Sequence, residues 1–322
     1  MRRAEVLLIA AIAAISSCKK KDAAPAAGSG SGSALAGSGS GSGSADDKKR
    51  VDDIGRAKKP TDNKDALAGK NQVVVAGDAP AKPEQPKRGH LKLIYKGADT
   101  EARKMMRAWG AFEQIVPQLD AALQLPHDIP ITFEKCDEEN AFYDPETIAI
   151  TMCDELVDFY AELFSEYEGE ERKDAIVGSL VATFLHELGH ALIHQFGLPA
   201  VGKEEDAVDQ LSTVVLVASG EVGNQMAYDG AYSWIAEGEA QGKDTTPFWD
   251  EHSLDEQRFY NMMCLIYGSD PDGFSEVITE DELPAERAEQ CPDEYKAIST
   301  SWNKLLAPHL SVPVMRLTLK KK

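Results

Sequence analysis

Residues 184–195 read FLHELGHALIHQ, with His186, His190 and His194 at intervals of four and Glu187 directly after the first histidine. Side chains four apart on a helix lie one above the other on the same face. His186 and His190 can therefore offer two imidazole nitrogens to one cation, at the roughly 2.0–2.1 Å that zinc prefers. Glu187 projects beside them, in reach of a water on that cation without being a ligand. Two imidazoles to hold a metal and one carboxylate to take a proton is the H-E-x-x-H spacing used for metal-assisted hydrolysis. His194 lies eight residues beyond His186, a rise of about 12 Å. One ion cannot take all three, so His194 is expected on a polar face.

A third ligand is needed, and GKEEDAVDQLS at 202–212 follows after a short turn. Glu205 and Asp209 are four apart and face the same way, so Glu205 can coordinate while Asp209 accepts the proton on the outer nitrogen of a liganding histidine. That second bond fixes the ring's tautomer and orientation. Glu204 is the rival ligand, but Val208 stands at its i+4 position. A helix start rich in Glu and Asp also has a bland explanation, since carboxylates favour the positive end of the helix dipole. Three protein ligands would leave one position open for water, the mark of a catalytic site. His252, in WDEHSLDEQ, is the candidate donor to a developing oxyanion.

Several elements must position these groups. HLKLIYK (90–96) alternates as a strand does, and IPITFEKC (129–136) is a second strand. Residues 99–125 predict one long amphipathic helix between them. NAFYDPETIAITMC (140–153) predicts a hairpin turning at Asp144-Pro145-Glu146-Thr147. Either arm of it could serve as the sheet edge that receives an extended peptide. A helix over 154–167 and an acidic loop to Asp174 come next. Ile176, Leu180, Val181, Phe184 and Leu188 then place the histidines on a long buried helix, stopped by Gly197. Helices follow over about 204–219, 222–240, from a Ser253-Leu-Asp-Glu256 capping box to Tyr267, and 293–306. Mixed strand and helix first, helices afterwards, predicts an α+β domain with a small N-terminal mixed sheet and a mainly helical C-terminal half. Gly189 is expected to permit close helix packing.

H-E-x-x-H followed by Glu-x-x-x-Asp on a second helix resembles the Glu-zincin metallopeptidases. NAFYDPETIAI, FLHELGHALI, GLPAVGKEEDAVDQLS and WDEHSLDEQRFYNMMCLIYG together look like the bacterial metallopeptidase family DUF4344. The resemblance covers nearly all of 90–310. It implies a zincin-like fold, one zinc ion on His186, His190 and Glu205, Glu187 as general base, and a peptide or protein substrate. It brings no particular substrate.

The N-terminus points to export. MRRAEVLLIAAIAAISSC has two arginines, a short apolar run and small residues, the layout of a secretory signal. Its end resembles a bacterial lipobox, with residues 1–18 as signal and Cys18 as the lipidated residue. Residues 19–89, rich in Gly and Ser and then in Lys, Pro and Ala, are expected to be a tether with a reach of roughly 45 Å. The 72–77 stretch QVVVAG could dock as a strand. The domain is then 90–322. A net charge of -20 argues against nucleic acid and against electrostatic adhesion to anionic lipid, so membrane attachment would come from lipid on Cys18. Lys19 after it suits the outer membrane of a cell that has one. A monomer is expected.

Four further cysteines in an exported chain imply two disulfides with three possible connectivities. Proximity favours Cys136–Cys153 and Cys264–Cys291. Two functional readings follow: a zinc peptidase at the cell envelope, or a zinc-binding protein of the same fold that cleaves little and acts as a binding module.

Overall fold

The computed structural model describes residues 88–240, 252–279 and 282–318. The signal segment, Cys18, the 72–77 stretch and all of the expected tether up to residue 87 lie outside the described residues. Arg88 and Gly89 are already tied to the domain: Arg88 pairs with Asp120 at 2.9 Å, and Gly89 N–H donates to Leu125 O at 2.8 Å.

The chain first builds a four-stranded sheet from β1 (Leu91–Tyr95), β2 (Ile129–Glu134), β3 (Ala141–Asp144) and β4 (Ala149–Cys153). The spatial order is β1-β2-β4-β3, with β1, β2 and β4 parallel and β3 antiparallel to β4. The hairpin turn is held as its residues predict. Glu146 N–H and Thr147 Oγ1–H both donate to the Asp144 carboxylate, at 2.8 and 2.7 Å. Among the described residues β3 is therefore a sheet edge and β4 is interior, which removes the 147–151 arm as a docking edge.

Helices α1 (Glu101–Trp109) and α2 (Ala111–Ala122) occupy the stretch expected as one helix. The break is Gly110, whose φ of 67° ends α1 in the left-handed conformation that glycine adopts without steric cost. Beneath the sheet, alternate residues Ile129, Ile131, Phe133, Ile150 and Met152 are buried. Phe112 of α2 stands edge-on to Phe133 at 4.9 Å and to Phe184 at 5.4 Å, joining the sheet to the histidine-bearing helix.

Helix α3 (Asp154–Leu163) ends earlier than expected, and α4 (Gly169–Phe196) begins earlier. The acidic stretch read as loop forms the first turn of α4, where Glu170 and Glu171 meet the positive end of the helix dipole. Helix α4 is long and apolar enough to cross a membrane by length and composition, yet its apolar window is 89% buried inside the domain. Sheet, α5 (Glu204–Val217) and α6 (Glu221–Ala240) surround it. Helices α7 (Asp255–Ser269), α8 (Ala285–Ala288) and α9 (Cys291–Leu306) complete the described chain. The expected capping box at α7 is not made. Ser253 Oγ–H donates instead to Asp206 at 2.7 Å, and the helix starts at Asp255 without a side-chain cap.

Both favoured disulfides are present. Cys136–Cys153 joins the ends of β2 and β4, and Cys264–Cys291 joins α7 to α9. The architecture is α+β, with a small mixed sheet and a helical C-terminal half.

Candidate metal centre

Helix α4 carries His186, Glu187 and His190, and α5 carries Glu204, Glu205 and Asp209. The two helices can approach closely because of Gly189. A Cβ there would lie 2.8 Å from Cβ and Cγ1 of Val208, the residue just before Asp209.

The two imidazoles are oriented from behind. His186 Nδ1 lies 2.7 Å from Asp209 Oδ1, and His190 Nδ1 lies 2.8 Å from Glu204 Oε1. With Nδ1–H donating to a carboxylate in each neutral ring, the Nε2 lone pairs point forward. They face each other at 3.3 Å. Glu205 closes the triangle, with Oε2 3.1 Å from His186 Nε2 and Oε1 3.3 Å from His190 Nε2. Among the described residues, His186, His190 and Glu205 form the group that could hold a metal ion.

The spacing of these atoms suits a shared cation. A tetrahedral cation with bonds of about 2.1 Å sets its ligand atoms about 3.4 Å apart, close to the three distances here. Glu205 Oε2 is buried without a well-aligned hydrogen bond, although three ring nitrogens surround the carboxylate. Two imidazole lone pairs and a carboxylate converging in a buried corner repel one another unless a proton or a cation sits between them. The donor set suits a divalent metal.

The electrostatics agree. Burial alone would depress the His186 imidazolium, but the Asp209 charge and the hydrogen bonds to Asp209 and Glu205 outweigh it and lift the group to about 9 when no cation is bound. Burial opposes charge on Glu205 as well, and bonds from His186, His190 and His252 overcome this and hold its pKa well below the carboxylate range. Glu187 behaves differently. It is 7% exposed, and burial pushes its pKa up. The nearby histidines and the backbone N–H of Tyr143 offset that rise in part. A carboxylate raised by burial next to a candidate metal corner meets one requirement of a general base.

Tyr143 belongs to β3. Cys153 N–H donates to Asn140 O at 3.0 Å, so by antiparallel alternation the backbone groups of Ala141 and Tyr143 point away from β4. The sheet edge thus runs past Glu187. The Tyr143 hydroxyl also meets His194 Nδ1 at 2.6 Å. His194 is exposed, outside the ligand triangle.

His252 comes to the site from the segment before α7. Its Nε2 is 3.2 Å from Glu205 Oε2, and its backbone carbonyl accepts from Lys203 Nζ at 2.9 Å. The structure sets it against the Glu205 carboxylate. Two participants were missed by sequence reasoning. Glu204, weighed only as a rival ligand, supports His190. Arg258 of α7 is 3% exposed and grips both oxygens of Asp209, through Nε at 2.7 Å and Nη2 at 2.8 Å. The one signal for Arg258 was a charged residue on the α7 face that also buries Met262 and Leu265.

A two-histidine, one-glutamate corner on packed helices, with a buried carboxylate beside it and a sheet edge alongside, defines an α+β protein with a candidate metal centre. The chain belongs to the DUF4344 family, described as "Putative metallopeptidase", whose profile matches residues 95–306. No curated protein and no solved structure matches it.

Proposed function

We propose that the protein is a zinc-dependent metallopeptidase. The observation that carries this reading is the preformed triangle of His186 Nε2, His190 Nε2 and Glu205, with separations of 3.1–3.3 Å, next to the buried Glu187. A zinc ion held there acts as a Lewis acid and lowers the pKa of its water toward about 7.

The chain's own residues do the rest. Asp209 and Glu204 hold the two imidazoles with Nε2 forward. Glu187 takes the proton of the attacking water and passes it to the leaving amine. The β3 edge, beside Glu187, receives the substrate as an added strand whose backbone groups pair with those of Ala141 and with the Tyr143 carbonyl, the Tyr143 N–H being held by Glu187. His252, beside Glu205 and 43% exposed at its side chain, turns toward the substrate carbonyl as donor to the oxyanion. The substrate is a peptide or protein. The chain acts as an exported monomer, held at the cell envelope by lipid on Cys18, a reading supported by its N-terminal sequence and its charge.

Metal analysis of the purified chain tests the assignment. One zinc per chain is expected in the wild type, none in Glu205→Ala, and retention in Glu204→Ala with affinity lowered about 10-fold, as for loss of a supporting partner. Full zinc occupancy in Glu205→Ala would remove the proposed ligand set.

A further inference from the structure

Asp209 has more to do than accept one proton. Its Oδ1 takes both His186 Nδ1–H, at 2.7 Å, and Arg258 Nη2–H, at 2.8 Å, while Oδ2 takes Arg258 Nε–H at 2.7 Å. Beneath the guanidinium lies Trp234 of α6, with Arg258 Cζ 3.4 Å from the ring centroid. The same indole stands 6.4 Å from the His186 ring. Three helices thus meet behind one ligand. Helix α4 gives the imidazole, α5 the carboxylate, and α7 the guanidinium, with an aromatic floor from α6.

A carboxylate that touches only a histidine can swing about its terminal torsion, which is broad and two-fold. A two-point grip from a planar guanidinium stops that rotation, and the rigid fork of arginine matches a carboxylate where the ammonium of lysine cannot. The cost is large, since burying a cation is expensive and a buried ion pair is weak evidence of a stability device. The expense is accounted for if the pair holds something in place. We propose that Arg258 is a positioning residue of the metal centre: by clamping both oxygens of Asp209 over Trp234, it fixes the ring plane and tautomer in which His186 presents Nε2 to the metal. This rests on the ligand assignment made above. Arg258 touches neither metal nor substrate; its Nη2 also stands 3.5 Å from His186 Nδ1, where a donor faces a donor, so it acts on the ring through Asp209.

The test uses the full chain as wild type, Arg258→Lys, Asp209→Asn and the double variant. Zinc dissociation constants are measured by competition with a chromophoric chelator, visible spectra are recorded on the cobalt(II)-loaded proteins, and melting temperatures are taken without metal. Arg258→Lys keeps the charge and loses the two-point grip. It is expected to weaken zinc binding 10- to 100-fold and to change the cobalt bands. Because Arg258 holds the ring by way of the Asp209 carboxylate, the double variant should bind zinc no more weakly than Asp209→Asn alone. A role limited to tying α7 to α5 gives the opposite pattern: a lower melting temperature with wild-type zinc constant and cobalt spectrum, or additive losses in the double variant. Either result overturns the proposal. Should the lysine variant not fold, Arg258→Gln is read in its place by the same criteria. A wild-type chain that binds no zinc overturns the ligand assignment too, whereas wild-type binding with an unaltered Arg258 variant overturns the Arg258 role alone.

Discussion

At the scale of single residues, the site divides by how far its parts lie from one another in sequence. His186, Glu187 and His190 share one helix face, so their spacing alone brings them together, and the i, i+4 relation of Glu205 and Asp209 does the same on the next helix. Arg258 is 49 residues from its partner Asp209, and no periodicity connects them. It was invisible for that reason, as was the pairing of Glu204 with His190 across two helices. His252 was legible as a residue but not in its placement, which depends on the turn into α7. The proton balance of His186 yields a prediction at this scale. Its pKa in the folded, metal-free protein, about 9, lies above the ordinary imidazole value of about 6.5. Such a raised pKa contributes stability that is fully present below about 6.5 and is lost as pH rises through about 9. Chelator-treated protein is therefore expected to lose melting temperature over that window on this account. Zinc, which must displace the His186 proton, should bind more tightly across the same range and release protons at pH 7. Titration calorimetry in two buffers of different ionisation enthalpy measures the release. Absence of proton release would contradict a protonated His186.

At the scale of elements, periodicity found the strands, the hairpin and the long histidine helix, and it failed at boundaries. Gly110 splits one amphipathic stretch into two helices because its left-handed conformation outweighs a continuous apolar pattern. The Ser253 hydroxyl was taken by Asp206 rather than by its own helix. Gly189 was expected to permit close helix packing, and the helix it admits is α5, which carries Glu205 and Asp209 of the candidate metal centre. Gly189→Ala should cost about 1–3 kcal/mol, the usual price of overpacking, and weaken zinc binding by displacing Glu205 and Asp209. Val208→Ala in the same chain removes Cγ1 but leaves a Cβ 2.8 Å from the new methyl, so it should restore only part of both. Denaturant melts and zinc titrations on the two variants check this; a rescue of neither quantity would place the strain elsewhere. The β2–β4 staple contributes as well. Closing a loop with a sequence separation of 17 is worth about 3 kcal/mol in the chain-entropy account. Replacing Cys136 and Cys153 by serine should lower unfolding free energy by roughly that amount, measured by denaturant melts.

At the scale of the whole molecule, the sheet, the buried α4 and the helices packed on it converge on one corner. Residues from α4, α5 and α7 meet there, and β3 passes beside it. A bound ion would then link these elements to one another, so metal binding and global stability are coupled. Zinc at a thousand times its dissociation constant should add about 4 kcal/mol to unfolding, and Glu205→Ala should abolish that increment. Scanning calorimetry with and without zinc reads it directly. The α+β class and the helical C-terminal half were legible because mixed and helical patterns occupy separate parts of the chain. The order β1-β2-β4-β3 was not, since strand neighbours are settled by long-range pairing that no local pattern encodes.

The most direct measurement is cleavage of a diverse peptide library by the full chain carrying one zinc, beside Glu187→Gln carrying the same zinc. Cleavage by the wild type and none by the variant is expected, because removing the proposed base leaves the His186, His190 and Glu205 triangle intact. Equal cleavage by both, or none by a wild type whose zinc sits on His186, His190 and Glu205, would contradict the proposed mechanism.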